Sequence, residues 1–172
     1  MVLKKQEELH NSLRDKRLFM KIISESFYKT RDIGKKIGAL LQKGDVVCLC
    51  GDLGSGKTAF VSGIAKSLML DDYIVSPTFT IVNEYDTNPP LFHFDVYRVN
   101  DPEELYMIGF EEYFFDKGIV VVEWADLILD ILPKEYMRVD IHLNERKDSR
   151  ILNFKAVGNS YEEILDNLKG MI

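Results

Sequence analysis

The chain opens on a polar stretch, Met1 to Phe19, charged throughout and only weakly helical in pattern. From Met20 onward the apolar positions fall into order. Ile22 to Ser26 reads as a short edge strand. Ile33, Ile37, Leu40 and Leu41 recur at helical spacing, with Thr30 placed as the N-cap and Gly44 as the stop. Val46-Val47-Cys48-Leu49-Cys50 is an unbroken apolar run, as in a buried central strand. Phe60, Val61, Ile64, Ala65 and Leu68 then share one face of a second helix that ends near Leu70. Ile81 to Tyr85 and Leu91 to Arg98 read as strands. In the second, His93 and Asp95 share one face, Phe92 and Phe94 the other. Asp101-Pro102-Glu103-Glu104 is a helix start with its N-cap, N1 and N3 residues in place, and Gly109 breaks that helix. Glu111 to Phe115 is a further short turn or helix. Ile119 to Glu123 is a β-branched strand, and Pro133 closes a short helical region after it. Met137 to Leu143 and Arg150 to Val157 alternate on either side of a charged turn and predict a hairpin. Ser160 can cap a last helix that faces inward through Ile164, Leu165 and Leu168. Interleaved strands and helices predict an α/β fold: a mixed sheet with a parallel core and helices on both faces. With no repeat or linker in view, the expected organisation is one domain over residues 20–172 behind a leader over 1–19.

Composition narrows the class. The chain has 172 residues, 46% hydrophobic and 29% charged, which suits a globular domain with a real core. No apolar run reaches membrane-spanning length, and Lys4, Lys5, Glu7 and Glu8 interrupt any signal-peptide core. A cytoplasmic protein that does not engage membranes is expected. Cys48 and Cys50 lie two apart in the buried run, so they share a face and act as small apolar residues. Net charge is -6, which argues against broad, unassisted nucleic-acid binding. Residues 101–135 carry ten acids and two lysines, a solvated face or a docking surface for a basic partner.

Between the central apolar run and the second helix stands Gly51-Asp52-Leu53-Gly54-Ser55-Gly56-Lys57-Thr58. It reads G-x-x-x-x-G-K-T, and strand before with helix after is the context this phosphate-binding motif requires. The glycines let backbone N–H groups turn inward as an anion nest, and the helix N-terminus adds its partial positive charge. Gly54, Ser55, Gly56, Lys57, Thr58 and Ala59 are the candidate nucleotide contacts. Lys57 can reach the outer phosphates, and Thr58 can offer its hydroxyl to Mg²⁺. Ile119-Val120-Val121-Val122-Glu123 resembles a Walker B strand delivering a carboxylate beside the loop. A plain buried strand with a solvated Glu is the simpler alternative. Asp95 is suited to hold Mg²⁺ through water or to orient an attacking water. His93 and Asp95 could equally be surface residues of an edge strand. Val75-Ser76-Pro77-Thr78-Phe79-Thr80 is either a loop or a switch whose hydroxyls report a γ-phosphate, with Thr78 the foremost contact. Trp124 packs in the core, covers the nucleotide or meets a partner.

Taken together, the phosphate loop, Ser76-Pro77-Thr78-Phe79-Thr80, His93-Phe94-Asp95-Val96-Tyr97-Arg98, Asp101-Pro102-Glu103-Glu104-Leu105 and Glu123-Trp124 resemble one family. It is the TsaE (YjeE) ATPases of tRNA threonylcarbamoyladenosine synthesis, and the similarity runs from about Ile22 to the C-terminus. The resemblance implies a small P-loop ATPase, weak alone, that uses ATP and Mg²⁺. It would serve a TsaD-type transferase and its TsaB-type mate, resetting them between turnovers as they modify the adenosine beside the anticodon. The tRNA would be met indirectly, through that complex. On this resemblance Lys57 binds the outer phosphates, and Thr58 and Glu123 ligate Mg²⁺. Asp95 acts near the metal or the water, Thr78 is the switch, and Trp124 shapes the site or the partner contact. Many members carry a second hydroxyl residue where this chain has Ala59, a hydrogen bond worth about 0.5–1.5 kcal/mol.

Three rival functions are open to a phosphate loop. A small-molecule kinase would gather arginines on a lid, and only Arg98 lies between the loop and Pro133. A GTPase would carry an N-K-x-D segment, which does not follow the loop. A nucleotide-gated binding module differs from a weak ATPase in rate, not in motif.

Overall fold

The structure, a computed structural model, describes residues 18–172 apart from Asp72, Asp116 and Lys147. The described strands are β1 (Phe19–Ser24), β2 (Val46–Cys50), β3 (Val82–Tyr85), β4 (Leu91–Asp95), β5 (Ile119–Glu123), β6 (Tyr136–Leu143) and β7 (Arg150–Val157). They form one sheet in the order β1-β7-β6-β2-β5-β4-β3. β6, β2, β5 and β4 are mutually parallel; β7 on one side and β3 on the other run against them, and β1, antiparallel to β7, runs in the direction of the core. β2, β4 and β5 are buried at every residue. That is why they read as continuous apolar runs rather than alternating ones.

Helices α1 (Phe27–Gly38), α2 (Lys57–Ser67) and α4 (Ser160–Met171) cover one face. Their Ile33, Ile37, Phe60, Ile64, Leu165 and Leu168 pack with Val47 and Leu49 of β2. The other face is covered by α3 (Pro102–Met107) and two 3₁₀ helices, Phe110–Phe114 and Ala125–Ile131. There Leu105, Phe110 and Ile128 pack with Val46, Cys48 and Cys50. Successive β2 residues thus feed opposite cores, as the two-residue period requires. Cys48 and Cys50 do share a face; both are free and buried, and burial pushes the Cys50 thiol up to about 12.

Several element ends differ from the sequence pattern. β1 starts at Phe19, and Leu18 packs on the core, so the last two residues of that polar stretch belong to the fold. The remainder of the expected leader lies outside the described residues. Ser26, not Thr30, caps α1: Ser26 is extended and its hydroxyl accepts from Lys29 N–H at 3.1 Å. Thr30 is inside the helix, its hydroxyl 2.8 Å from that of Ser24. α1 ends at Gly38 rather than near Gly44, and Gly44 instead takes the left-handed turn before β2. Likewise α2 stops at Ser67, and α4 begins from Asn159 with Ser160 already inside it. The capping box on α3 forms as its sequence predicts.

α1 and α2 touch backbone to backbone at Gly63. A Cβ placed there would stand 2.0 Å from the carbonyl oxygen of Arg31. Gly63→Ala is therefore expected to lower stability by about 2 kcal/mol through overpacking. Alanine's better helix propensity, about 1 kcal/mol, offsets only part of the clash. Urea unfolding checks this, and an unchanged midpoint would mean the helices part without cost.

Candidate functional site

The phosphate loop leaves β2 at its C-terminal end and enters α2. Gly56 is the N-cap, with φ at 111°, a left-handed conformation that favours glycine. No side chain caps this helix, and the first internal bond runs from Phe60 N–H to Gly56. The amides of Lys57, Thr58 and Ala59 therefore have no partner within the helix. Ser55 within the loop is fully buried, and its hydroxyl has no hydrogen-bond partner among the described residues.

The parallel register brings the two candidate acids beside this loop. Asp95 and Glu123 are cross-strand partners at the ends of β4 and β5, and Leu49 of β2 pairs with Glu123. Both carboxylates are buried. Thr58 Oγ1 donates to Glu123 Oε1 at 2.9 Å, joining positions 65 residues apart. On the far side His93 Nε2 lies 2.8 Å from the same Oε1. A carboxylate only accepts, so the ring donates through Nε2. The other ring nitrogen, Nδ1, has no partner among the described residues. β4 is thus no edge strand: it lies between β5 and β3, and its polar face points at the loop rather than at solvent.

Asp95 is held by the other candidate segment. Thr78 Oγ1 donates to Asp95 Oδ2 at 2.7 Å, Ser76 donates to the same oxygen, and Tyr97 N–H donates to Oδ1 at 3.0 Å. The Ser76 and Thr78 hydroxyls are 2.9 Å apart. The Ser-Pro-Thr loop is therefore tied to the acid that precedes Tyr97 and Arg98. Arg98 rests over the exposed ring of Phe79, 4.2 Å from its centroid.

Lys57 is turned back on its own loop. Nζ donates to the carbonyls of Gly51 at 2.6 Å and Asp52 at 3.0 Å, and sits 3.9 Å from the centroid of the Trp124 ring. Burial lowers its pKa from the ordinary lysine value, against the opposing pull of Glu123 and Asp95. Trp124 holds a left-handed backbone, φ 62°, which for a bulky side chain costs about 1–3 kcal/mol. That turn, stacked on Tyr97 at 4.6 Å between centroids, is what places the indole over the lysine.

These groups line one open cavity of about 510 Å³. Its wall includes Gly54, Gly56, Lys57, Thr58, Ala59, Thr78, Asp95, Glu123 and Trp124, so the fold brings together nearly every residue the sequence singled out. It also includes Phe27 and Arg150, which the sequence pattern did not bring out. Phe27 falls between the predicted edge strand and the Thr30 helix start, Arg150 reads as the first residue of a hairpin strand, and no local motif marks either. In chain order only Arg98 lies between the loop and Pro133, so Arg150 falls outside that span.

A hydroxyl and a carboxylate in direct contact are oxygen donors suited to a hard cation. Among the described residues no group of three or more His, Cys, Asp or Glu could hold a metal unaided. A Mg²⁺ would complete its shell with ligand phosphates and water, and the donors present fit that role. No described helix is long and apolar enough to cross a membrane.

A family model described as "Threonylcarbamoyl adenosine biosynthesis protein TsaE" matches residues 24–152. The tRNA threonylcarbamoyladenosine biosynthesis protein TsaE of Bacillus subtilis is 43% identical over 141 residues, 81% of this chain and 87% of its own length. The protein of the same name in Treponema pallidum is 36% identical, covering 72% of this chain and 92% of its own. A crystal structure of Bacillus subtilis YdiB superposes with a TM-score of 0.77 at 38% identity, over 89% of this chain and 95% of that one.

Proposed function

This chain belongs to the TsaE family, named for threonylcarbamoyladenosine biosynthesis on tRNA, and we propose that it is a P-loop ATPase. It would hydrolyse ATP with Mg²⁺ in support of that modification. The observation that carries the reading is the 2.9 Å contact between Thr58 and Glu123. It joins the end of the phosphate motif to the acid of a β-branched strand, as metal-assisted phosphoryl chemistry needs.

Each group has a chemical part. The free amides at the start of α2 bind phosphate oxygens. Lys57 exchanges the carbonyls of Gly51 and Asp52 for outer phosphates. Thr58 and Glu123 hold Mg²⁺, which when bound neutralises charge on the phosphates. His93 keeps the Glu123 carboxylate in place from behind. Asp95 accepts a proton from, or orients, a water at the γ end. Thr78 and Ser76 share that carboxylate, so a change in what Asp95 holds moves the Ser-Pro-Thr loop. The loop continues into exposed Phe79, and from there a partner of the TsaD or TsaB type can sense the nucleotide. The acidic chain leaves most of the tRNA contact to those partners.

The test measures ATP hydrolysis with and without purified TsaD-type and TsaB-type proteins, scoring modified tRNA in the same tubes. Repeated rounds of modification only with this chain and hydrolysable ATP are expected. Hydrolysis that ignores the partners, with modification unchanged, would return the kinase reading.

A further inference from the structure

Between β4 and β5 the chain leaves apolar surface uncovered. Tyr106, Met107 and Ile108 are consecutive, and they are 48%, 86% and 39% exposed. A run of exposed apolar residues is disfavoured unless it serves a contact. The three line a groove of about 510 Å³ on the side of the sheet that α3 covers. Its wall also holds Phe92 and Tyr113, whose rings meet edge to face at 4.9 Å. Two acids, Glu84 and Glu112, belong to the same wall, and Tyr113 donates its hydroxyl to Glu84. The groove shares no lining residue with the cavity at the phosphate loop.

We propose that this groove docks a protein partner through a segment that sets an apolar side chain beside a lysine or arginine. The charge of the face selects that occupant. Residues 101–115 carry five acids and no lysine or arginine. RNA and anionic lipid surfaces are repelled by such a face. A second copy docked face to face would bring the same acids against one another. Lys117 shows what a partner's cation finds there. Its Nζ lies 3.3 Å from Glu112 Oε2 and 5.9 Å from the centroid of the Tyr113 ring, while half of the side chain stays exposed. An arriving lysine or arginine gains the same carboxylate and ring, with Glu84 at the hydroxyl end of that ring. Its apolar neighbour covers Met107 and Ile108. This docking uses no residue of the phosphate loop, so it stands apart from the ATPase reading.

The test titrates the full chain with short synthetic peptides that carry one central leucine flanked by arginines, glutamines or glutamates. The arginine-flanked peptide is expected to bind about tenfold more tightly than the glutamine-flanked one. That advantage should shrink as salt is raised, and the glutamate-flanked peptide should bind least. Met107→Ala should weaken the arginine-flanked peptide about fivefold. Glu112→Gln should narrow the gap between arginine and glutamine flanks. Lys117→Ala, which vacates the carboxylate and the ring, should tighten the arginine-flanked peptide about threefold. Peptides bound alike whatever their flanks, or a parent chain that binds none, would overturn the proposal. So would unchanged binding by Met107→Ala. Binding of a single-stranded RNA, or a dimer of this chain, that Met107→Ala abolishes would give the face another occupant and overturn it as well. Melting of each variant separates lost binding from lost fold. If Met107→Ala does not fold, the tightening by Lys117→Ala must still appear for the proposal to stand.

Discussion

Lys57→Ala is expected to lower ATP hydrolysis by about a hundredfold or more, since on the proposed function it removes the cation that would bind the outer phosphates. The nucleotide-free fold should survive. The side chain now makes two bonds to loop carbonyls, and losing them costs stability. Against that, the ammonium is buried, and burial lowers its folded pKa. The folded chain therefore releases this proton more readily than the unfolded chain. While charged, the lysine opposes folding, and the opposition fades as pH rises through its folded pKa towards the ordinary lysine value. Alanine removes both effects, so the melting temperature without nucleotide should stay within a few degrees, about 1 kcal/mol. ATP should then no longer raise it. Calorimetry with and without ATP, beside a steady-state rate, measures all three, and full turnover in the variant would sink the site.

At Glu123 the expected result is a split between chemistry and binding. Glu123→Ala should reduce Mg²⁺-dependent hydrolysis by about a hundredfold, a metal ligand's share of charge stabilisation. ADP binding in the absence of Mg²⁺ should shift far less, by about threefold, because the loop amides and Lys57 remain. The alanine also leaves His93 buried with neither ring nitrogen matched by a described residue. Glu123→Gln is the companion variant: it keeps the size and an acceptor for His93 but drops the charge. If the glutamine variant hydrolyses normally, the carboxylate is structural. An equal loss of binding and hydrolysis in both variants would argue against a metal role.

What could be read from the chain was what lies close together in it. The loop, the strand before it and the helix after it are one continuous motif, and local pattern alone places them. β5 with its terminal Glu123 was legible for the same reason. The contacts that make a site of these parts were not. His93 meets Glu123 only because β4 lies next to β5 in register, and the pattern left β4 equally open as an edge strand. Arg150 and Phe27 reach the cavity through sheet order and through the seating of α1, neither of which leaves a local signal. The start of α1 was misplaced because two hydroxyls compete. Ser26 is free to cap, while Thr30 is engaged with Ser24, a side-chain contact six residues apart that hydrophobic periodicity does not register.

The place of β2 in the sheet bears on how the protein is made. Its neighbours are β5 and β6, both encoded far downstream of the loop that β2 carries. During translation the loop and α2 leave the ribosome early, when only α1 can pack beside them. The sheet beneath the loop closes only after residue 143 has emerged, and β7 and α4 follow. Pairings so distant along the chain form slowly. A nascent chain would therefore carry its most recognisable motif through about half of its synthesis before the sheet that holds that motif in place can close.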